Sequence, residues 1–411
     1  MFCRLIIYCG CVLTALSVEA QNNADIKKGD ACMEKGAYSQ AATFYKKAAN
    51  GDVMAVSANE KLGKALIALE DYKNAEKVYK SLASISPVGA INWFYYGQIL
   101  RINGKYVEAD KVYQGYFKEH PGDPLAEEFK NFEAKAKRLL TDTSDYKLTN
   151  IPENTAGSDV EPTFCLYDMC FISKGHTSDQ QKAYDLYMRR GGSESNPASP
   201  VKLKGDIKGK LNEGPATFTR NGMEMIFTRS NYKHKSADGT MKSGLYHADY
   251  DSKGKKWVNI KPLNFIDYNY DFMQPSLSKD GSMLFFASNM KGGLGESDIY
   301  VCYKHDNTWS APVNLGSGIN TMGKEETPFI ADNGTLYFAS DSRMGLGGLD
   351  IYGATFNDGV WGHAINLRVP LNSAYNDFGF ISDTTGKSGY LISNRPGGKG
   401  GNDIYQFILM H

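Results

Sequence analysis

Three stretches near the C-terminus repeat one pattern at nearly constant spacing, and they decide the fold. They read Gly-Gly-Leu-Gly-Glu-Ser-Asp298-Ile299-Tyr300, Gly-Leu-Gly-Gly-Leu-Asp350-Ile351-Tyr352 and Gly-Gly-Lys-Gly-Gly-Asn-Asp403-Ile404-Tyr405. The aspartates lie 52 and 53 residues apart. A period of about 50 residues is typical of the blades of a β-propeller. The sequence therefore predicts a repeated β scaffold, and such a scaffold alone names no reaction.

Each repeat contains signals for four short strands. Five copies of the first strand open at Pro162, Pro215, Pro275, Pro328 and Gly379. Asp-Gly and Asn-Gly turns, such as Asp280-Gly281 and Asn333-Gly334, predict a hairpin to the second strand. The Asp-Ile-Tyr strand comes third. Fourth strands are predicted at Pro200–Leu203, Ile260–Asn264, Pro312–Leu315 and Ala364–Leu367, after Trp309 and Trp361 in the last two cases. Four strands in about 50 residues describe one blade.

The count of strands predicts how the ring closes. There are five first strands and only four fourth strands downstream, so one strand is missing. Tyr146–Asn150 lies upstream of the first blade, and Asn154-Thr155 follows it much as Asn320-Thr321 follows a later fourth strand. We expect this segment to complete the last blade and leave no open edge there. The prediction is five blades, with six as the alternative.

A second repeat with a different period precedes the propeller. Tyr38, Tyr72 and Tyr106 lie 34 residues apart, and each is followed after seven residues by another tyrosine, with an alanine at i+3. This spacing places the three side chains on one helical face. A period of 34 residues is the tetratricopeptide signature. The fold class is thus α + β multidomain, with a tetratricopeptide domain over residues 21–141, closed by a helix over Asp123–Leu140, and a five-bladed propeller over residues 145–411.

The N-terminus and the composition bound the class of protein. Residues 1–20 have a basic start, an apolar stretch and the cleavage pattern Val18-Glu-Ala20, which predict a signal peptide and an exported protein. A lipoprotein signal with Cys11 as acceptor is the alternative, although only Leu5–Tyr8 precedes it as an apolar run. No later stretch is long and apolar enough for a transmembrane segment. Lys plus Arg and Asp plus Glu both number 46, so no basic field indicates nucleic acid as a partner.

Candidate chemical groups mostly favour structural roles. The Gly-rich loops lead from strand to strand, whereas a phosphate-binding loop leads into a helix. One carboxylate per blade at Asp298, Asp350 and Asp403 is expected to accept backbone hydrogen bonds of the preceding turn. The histidines have no partner at metal-ligand spacing, and we predict no cofactor and no catalytic residue. Cys165 and Cys170 flank the first hairpin turn and would allow a disulfide in an oxidising compartment.

Two further sets of residues recur at fixed blade positions. Arg343 and Arg395 follow the second strand of their blades and are expected to pair with loop carboxylates, with a binding role as the alternative. The central channel is expected to be lined by mostly apolar or small side chains near Thr163–Phe164, Ala216–Phe218, Ser276–Leu277 and Phe329–Ile330. Such a wall argues against a charged active site.

With these motifs in hand, the chain resembles a Bacteroidetes family. The Asp-Gly turn, the Leu-x-Phe-x-Ser strand, the Gly-rich loop and Asp-Ile-Tyr are similar to the PD40 repeat, also called the WD40-like or TolB-type repeat. Tetratricopeptide repeats followed by such a propeller resemble the N-terminal part of PorE-like, OmpA-family proteins of the type IX secretion system. In that family a peptidoglycan-binding OmpA-like domain normally follows, whereas this sequence stops within the last blade. The family's wall-tethering role is therefore carried over to no residue here.

These observations lead to one expected function and one alternative. The expected function is a non-enzymatic scaffold, periplasmic or associated with the outer membrane, that binds protein partners through the helical groove and the propeller face. The resemblance implies a part in type IX secretion or envelope assembly. The alternative is a propeller that binds glycans or processes glycosides in its channel, which two facing carboxyl groups would favour.

Overall fold

A computed structural model describes residues 21–410 except 34–36, 53–54, 86–89, 124, 166–167, 174–184, 190–199, 208–212, 232–233, 238 and 307. The predicted signal peptide at residues 1–20 lies outside the described residues. The described chain forms two compact units, divided between Lys130 and Asn131. The first is helical and the second is a β-propeller with one helix before it. None of the described helices has the length and apolar character needed to cross a bilayer.

The first unit is a helical repeat. Its helices are α1 (residues 21–33), α2 (Tyr38–Ala49), α3 (Val56–Ala68), α4 (Tyr72–Ala83), α5 (Ala90–Ile102), α6 (Tyr106–Glu119) and α7 (Ala126–Phe129). From α2 to α6, each helix packs against the next along the chain. Helix α8 (Phe132–Thr141) belongs to the second unit.

The tyrosine repeat coincides with the helix boundaries. Tyr38, Tyr72 and Tyr106 are the first residues of α2, α4 and α6. One turn after these tyrosines, Ala41, Ala75 and Ala109 are fully buried. Two turns after them, Tyr45, Tyr79 and Tyr113 are each at most 2% exposed. The alanine and the second tyrosine thus form the buried face, while the first tyrosine is partly exposed.

Each buried tyrosine lies against a glycine of the preceding helix. A Cβ atom added to Gly63 would stand 2.7 Å from the ring of Tyr79, and one added to Gly97 would stand 2.5 Å from the ring of Tyr113. Gly29 and Tyr45 make the same contact at 2.4 Å. The glycines therefore share the period of 34 residues, because only a missing side chain leaves room for the ring.

The second unit contains five blades in chain order, three with four strands and two with five. Strand β1 (Tyr146–Asn150) comes first. Blade 1 is β2 (Asp159–Cys165), β3 (Asp168–Ser173), β4 (Asp185–Met188) and β5 (Val201–Lys202); blade 2 is β6 (Glu213–Phe218), β7 (Glu224–Ser230), β8 (Ser243–Asp251) and β9 (Lys256–Pro262). All pairings are antiparallel.

The last three blades match the repeat seen in the sequence most closely. Blade 3 is β10 (Phe272–Leu277), β11 (Met283–Ser288), β12 (Asp298–His305), β13 (Thr308–Trp309) and β14 (Val313–Asn314); blade 4 is β15 (Glu325–Ile330), β16 (Thr335–Ser340), β17 (Asp350–Asn357), β18 (Val360–Trp361) and β19 (Ile365–Asn366). Blade 5 is β20 (Asp377–Ser382), β21 (Ser388–Ser393), β22 (Asp403–Leu409) and β1. The tryptophans lie in two-residue strands that pair with the end of the third strand. In blade 2 the fourth strand begins at Lys256, earlier than predicted, because its first residues already pair with β8.

The ring closes as predicted. Strand β1 pairs antiparallel with β22, from Tyr146 opposite Leu409 to Asn150 opposite Tyr405. The side chain of Asn154 donates to the carbonyl of Ile404 at 2.8 Å and accepts from its N–H at 3.0 Å. Five blades and a non-covalent clasp between the first and last strands are therefore confirmed, and the six-bladed alternative is excluded.

Apolar clusters lie between all neighbouring blades. Each contains buried side chains of both blades it joins, and representative members in ring order are Phe227, Phe286, Phe338, Phe407 and Phe171. The last of these clusters joins blade 5 to blade 1. Burial of about 25 cal/mol per Å² of apolar surface stabilises each interface, so the ring is held by a continuous core.

Candidate functional site

The main cavity of the propeller is its central channel, with a volume of about 550 Å³. It is lined by the second half of all five innermost strands, β2, β6, β10, β15 and β20, and by the hairpin residues that follow four of them. In every innermost strand the pairing register shifts at a β-bulge. The channel runs from these bulges, here called its closed end, to the hairpins, here called its mouth.

The wall of the channel combines apolar side chains with a similar share of polar ones, so it is more polar than the sequence predicted. The predicted segments Thr163–Phe164, Ala216–Phe218, Ser276–Leu277 and Phe329–Ile330 all line it. Blade 5 adds Phe380 and Ile381, which the sequence analysis did not name although they align with Phe329 and Ile330. Several wall hydroxyls bond to the next blade: Thr217 accepts from the N–H of Leu277, and Ser276 accepts from the N–H of Ile330, both at 3.1 Å.

The closed end carries polar side chains that the sequence analysis missed. The side-chain amide of Gln274 donates to Glu161 Oε1 at 3.1 Å, and its oxygen accepts from the N–H of Thr327 at 2.9 Å. The hydroxyl of Thr327 accepts in turn from the N–H of Gly379 at 3.0 Å. Blades 1 and 3 are not neighbours, so the side chain of Gln274 crosses the channel. The signal in the sequence was the residue before each proline, because Glu161, Gln274 and Thr327 all occupy that position.

Burial is the main influence on the pKa of Glu161, the carboxyl group at the closed end. Glu161 is half-buried, lines the channel, and has its pKa raised to about 8, mainly by desolvation and further by the nearby charge of Glu326, against the hydrogen bond from Gln274. A carboxyl group with this pKa holds its proton at neutral pH unless a cation approaches. Glu161 is thus the titratable group deepest in the channel among the described lining residues.

The mouth carries charges of both signs. Lys279 and Asp332 form an ion pair at 2.8 Å, and Arg220 also lines the mouth. Burial acts to raise the pKa of Asp383, but hydrogen bonds from Thr385 and Ser388 outweigh it and leave that pKa below its ordinary value. The carboxylates of the mouth are therefore held by local partners.

The repeated aspartates lie at the start of the third strands, away from the channel lining. Asp298 accepts from the backbone N–H of Leu294 and Gly295 at 2.5 and 3.0 Å, and Asp350 accepts from those of Leu346 and Gly347 at 2.9 and 3.0 Å. Asp403 does the same with Lys399 and Gly400. The structure thus places each aspartate inside its own Gly-rich loop and does not bring the three together.

A repeated asparagine anchors the same strands. In the sequence it served only to align the blades. Asn320 accepts from the N–H of Ile299 at 2.8 Å and donates to its carbonyl at 3.0 Å. Asn372 makes the same pair of bonds with Ile351 at 2.7 and 2.9 Å. Asn154 does so for the closing blade. This amide therefore repeats in three blades as a clamp on the Asp-Ile-Tyr strand.

The two recurring arginines donate to backbone carbonyl oxygens at equivalent loop positions, and for Arg395 these are the carbonyls of Pro370 and Leu371 at 2.9 and 3.1 Å. Arg395 also forms an ion pair with the buried Asp377, which is the first residue of strand β20 and not a loop carboxylate. Arg343, only 2% exposed, donates to the carbonyl oxygens of Gly318 and Ile319 at 2.8 and 3.0 Å. In these contacts the loop that Arg343 meets presents its backbone oxygens.

The cysteines near the first hairpin do not bond to each other. Cys165 and Cys170 are both buried thiols. The register places Cys165 opposite Asp168 and Cys170 opposite Thr163, so the two are not cross-strand partners. Both side chains belong to the apolar cluster between blades 1 and 2. Over the described ranges, no three His, Cys, Asp or Glu side chains are grouped as metal ligands.

Comparison with known proteins gives similarities of fold at low identity. No protein-family profile and no curated protein sequence matches the chain. TolB from Acinetobacter baumannii is 14% identical, with a TM-score of 0.35 over 61% of this chain and 54% of that one. An alpha-L-arabinofuranosidase from Lactobacillus brevis is 13% identical, with a TM-score of 0.42 over 60% and 90%. A putative TolB from Agrobacterium tumefaciens is 17% identical, with a TM-score of 0.36 over 60% and 76%.

These similarities do not assign an activity. The chain spans about half the length of the first TolB structure. The similar structures include TolB-type propellers and an enzyme, and every TM-score quoted is below 0.5. The fold assignment accordingly depends on the order and register of the strands in this chain, and the function has to be argued from its own channel and repeats.

Proposed function

We propose that this chain is an exported, non-enzymatic scaffold of the bacterial envelope that binds protein partners through its helical repeat and through the channel of its propeller. The observation that carries the proposal is the division of polar groups in the propeller. The repeated carboxylates Asp298, Asp350 and Asp403 use their oxygens on their own loops, while the channel presents apolar side chains together with polar ones. Apolar clefts with a few polar groups are the usual form of a binding site.

The finer parts of the proposal are supported by the sequence. Residues 1–20 have the pattern of a signal peptide, which supports export to the periplasm or the outer membrane. The 34-residue repeat over 21–141 supports a tetratricopeptide domain, whose concave surface holds peptides or helices. The resemblance to PorE-like proteins supports a part in type IX secretion or envelope assembly.

The experiment tests the channel as a binding surface by blocking it with a bulky side chain. Thr163→Trp adds a large ring to the channel wall, whereas Val360→Trp adds the same ring on an outer strand where the residue is 65% exposed. Both variants and the unaltered chain would be crosslinked in intact cells and purified with their partners. We expect a specific partner that Val360→Trp retains and Thr163→Trp loses. Identical capture by all three proteins would remove the channel from the proposal, and capture of no specific partner by any of them would refute it.

One observation favours the alternative of a glycan-binding or glycoside-processing propeller. Glu161 combines a raised pKa with a position in the channel lining, as a general acid would. Hydrolysis requires a second carboxylate in a different environment, and among the described lining residues the others are Asp332 and Asp383, which bond to Lys279 and to Ser388. Glycan arrays and chromogenic glycosides tested with the unaltered chain and with Glu161→Gln would decide, since only turnover lost in the variant supports this alternative.

A further inference from the structure

The closed end of the channel is built from one strand position in four blades. Glu161, Gln274, Thr327 and Gly379 each stand at the bulge of an innermost strand with a positive φ of 55°, 57°, 50° and 61°. A bulge changes the direction in which a strand's side chain points. Here the side chains of Glu161, Gln274 and Thr327 lie at one level, at the closed end of the channel. The position is strained for any residue but glycine, so the same backbone device is kept although the side chain differs.

Hydrogen bonding at this level leaves one acceptor uncommitted. Gln274 uses both ends of its amide, on Glu161 and on the N–H of Thr327, and the Thr327 hydroxyl accepts from Gly379. Glu161 Oε1 accepts from Gln274, while its second oxygen has no hydrogen-bond donor among the described residues. The carboxyl group of Glu161 therefore presents an acceptor at the end of a channel whose wall includes apolar side chains.

The electrostatics of the closed end favour the binding of a positive charge. Desolvation and the field of Glu326 keep the pKa of Glu161 near 8, and the charges that line the channel elsewhere lie at the mouth, on Arg220, Lys279, Asp332 and Asp383. A carboxylate removed from water is costly unless it is paired. An incoming cation would supply that pair and displace the proton to solvent.

We propose that the channel receives a cationic side chain with an apolar stem, a lysine or arginine of a partner protein, whose head group binds Glu161. The stem would lie against the wall residues Phe164, Leu277, Phe329 and Phe380, and the cation would stop at the bar formed by Gln274. The volume of about 550 Å³ falls within the range of ligand pockets, roughly 300–1,000 Å³. This inference rests on the proposed binding function and names the chemistry that the channel recognises.

The test uses two small probes of equal shape and different charge. n-Hexylamine and n-hexanol would be titrated into the full chain, and the shifts of channel amides followed by NMR. We expect the amine to bind at least tenfold more tightly than the alcohol. Affinity for the amine should rise from pH 6.5 to pH 8.5, because Glu161 must lose its proton to pair, whereas that for the alcohol should not.

Two variants and a control make the result specific to Glu161. Glu161→Gln should bind both probes equally and lose the pH dependence, and blade 3 shows that glutamine fits this backbone, since Gln274 occupies the equivalent position. Glu161→Thr, which copies the residue that blade 4 carries at Thr327, is a second variant should the first fold poorly. Glu326→Gln removes a nearby carboxyl that does not line the channel and should keep the preference for the amine.

Three outcomes would overturn the inference: equal binding of the two probes, a preference for the amine that survives in both Glu161 variants, or no binding of either probe. The probes require no partner protein, so these failures are distinguishable from failure of the scaffold itself. A partner that is captured through the channel while the amine shows no preference would leave the scaffold function standing without a cation site.

Discussion

The two units of this chain repeat different kinds of interaction. In the helical unit the repeated element is a steric fit, in which the ring of Tyr79 occupies the space left by Gly63. In the propeller it is a hydrogen-bonded clamp, in which an asparagine side chain such as Asn320 binds both backbone groups of Ile299. The steric fit depends on the missing side chain of the glycine, and the clamp depends on the donor and acceptor atoms of the asparagine.

This difference explains why the two repeats look unlike each other in sequence. A ring-and-glycine contact tolerates variety on the other helical faces, so the helical repeat survives as a few aromatic and small residues. A clamp with fixed donors and acceptors requires whole motifs, so the propeller repeat survives as Asp-Ile-Tyr with its loop and its asparagine. Removing an atom should therefore damage the propeller, and adding one should damage the helical unit.

The largest effect is expected from the clasp, which has no counterpart in the helical unit. Deleting residues 21–152 removes β1, whereas deleting 21–140 removes the same helices and keeps it. Five backbone pairings with β22 would be lost, each worth on the order of 1 kcal/mol, and an edge prone to aggregation would be exposed. Thermal melting and size-exclusion chromatography should show the longer deletion melting lower and aggregating. Equal behaviour of the two truncations would mean that β1 contributes no closure.

The next effect tests the clamp. Asn320→Ala leaves the buried N–H of Ile299 without its partner, while the carbonyl keeps its bond from the N–H of Leu315. The loss should cost about 2–3 kcal/mol in the free energy of unfolding. Asn333→Ala is the matched control, because Asn333 accepts a single bond from Thr335 in an exposed hairpin. Urea unfolding of the full chain would measure both. A loss at Asn320 no greater than that at Asn333 would contradict a structural role for the repeat.

The opposite experiment tests the steric fit. Gly63→Ala places a methyl group 2.7 Å from the Tyr79 ring, and such overpacking costs about 1–3 kcal/mol. Gly115→Ala in α6 is the control, because its new Cβ would meet nothing closer than Trp93 at 3.7 Å and alanine favours a helix over glycine by about 1 kcal/mol. Circular dichroism during melting should show one variant destabilised and the other stabilised. Stabilisation of both would show that the ring moves aside freely.

The fold was largely predictable because both repeats recur often enough to be aligned. Comparing blades in the sequence located the first strands, the Asp-Ile-Tyr strands and even the clasp at Tyr146–Asn150, which pairs as expected. Strand ends were less predictable, as β9 shows, because pairing with a long neighbour extends a strand beyond its motif. The glycines that face Tyr45, Tyr79 and Tyr113 were missed, because a residue without a side chain leaves no hydrophobic pattern.

The residues that line the channel were predictable from the sequence, but the polar group at its closed end was not. The apolar residues after each proline repeat from blade to blade, so their position on the inner face followed from the alignment. Glu161, Gln274 and Thr327 share a position but differ in chemistry, and an alignment of repeats treats such a column as variable. Their meeting across the channel depends on bulges that turn the chain to positive φ, which local sequence patterns do not encode.

The smallest expected effect is a pH dependence that arises at one repeat position of the propeller. Glu325 is fully buried, and desolvation raises its pKa to about 8 despite hydrogen bonds from Ser340 and Thr321. A raised carboxyl pKa stabilises the fold below the ordinary value near 4.5, and that contribution is lost as the pH rises to about 8. Glutamine does not titrate, so the free energy of unfolding of Glu325→Gln should increase relative to that of the unaltered chain as the pH rises.

Urea unfolding at pH 6 and pH 8 would measure this gain, which we expect to be on the order of 1 kcal/mol, within the limit of about 1.4 kcal/mol per pH unit for one group. Asp280→Asn is the control of opposite sign. Hydrogen bonds from Ser278 and Ser282 lower the pKa of Asp280 to about 2, so its contribution is lost only below pH 4 and should not change between pH 6 and pH 8. A difference between Glu325→Gln and the unaltered chain that stays constant over this interval would mean that Glu325 keeps an ordinary pKa.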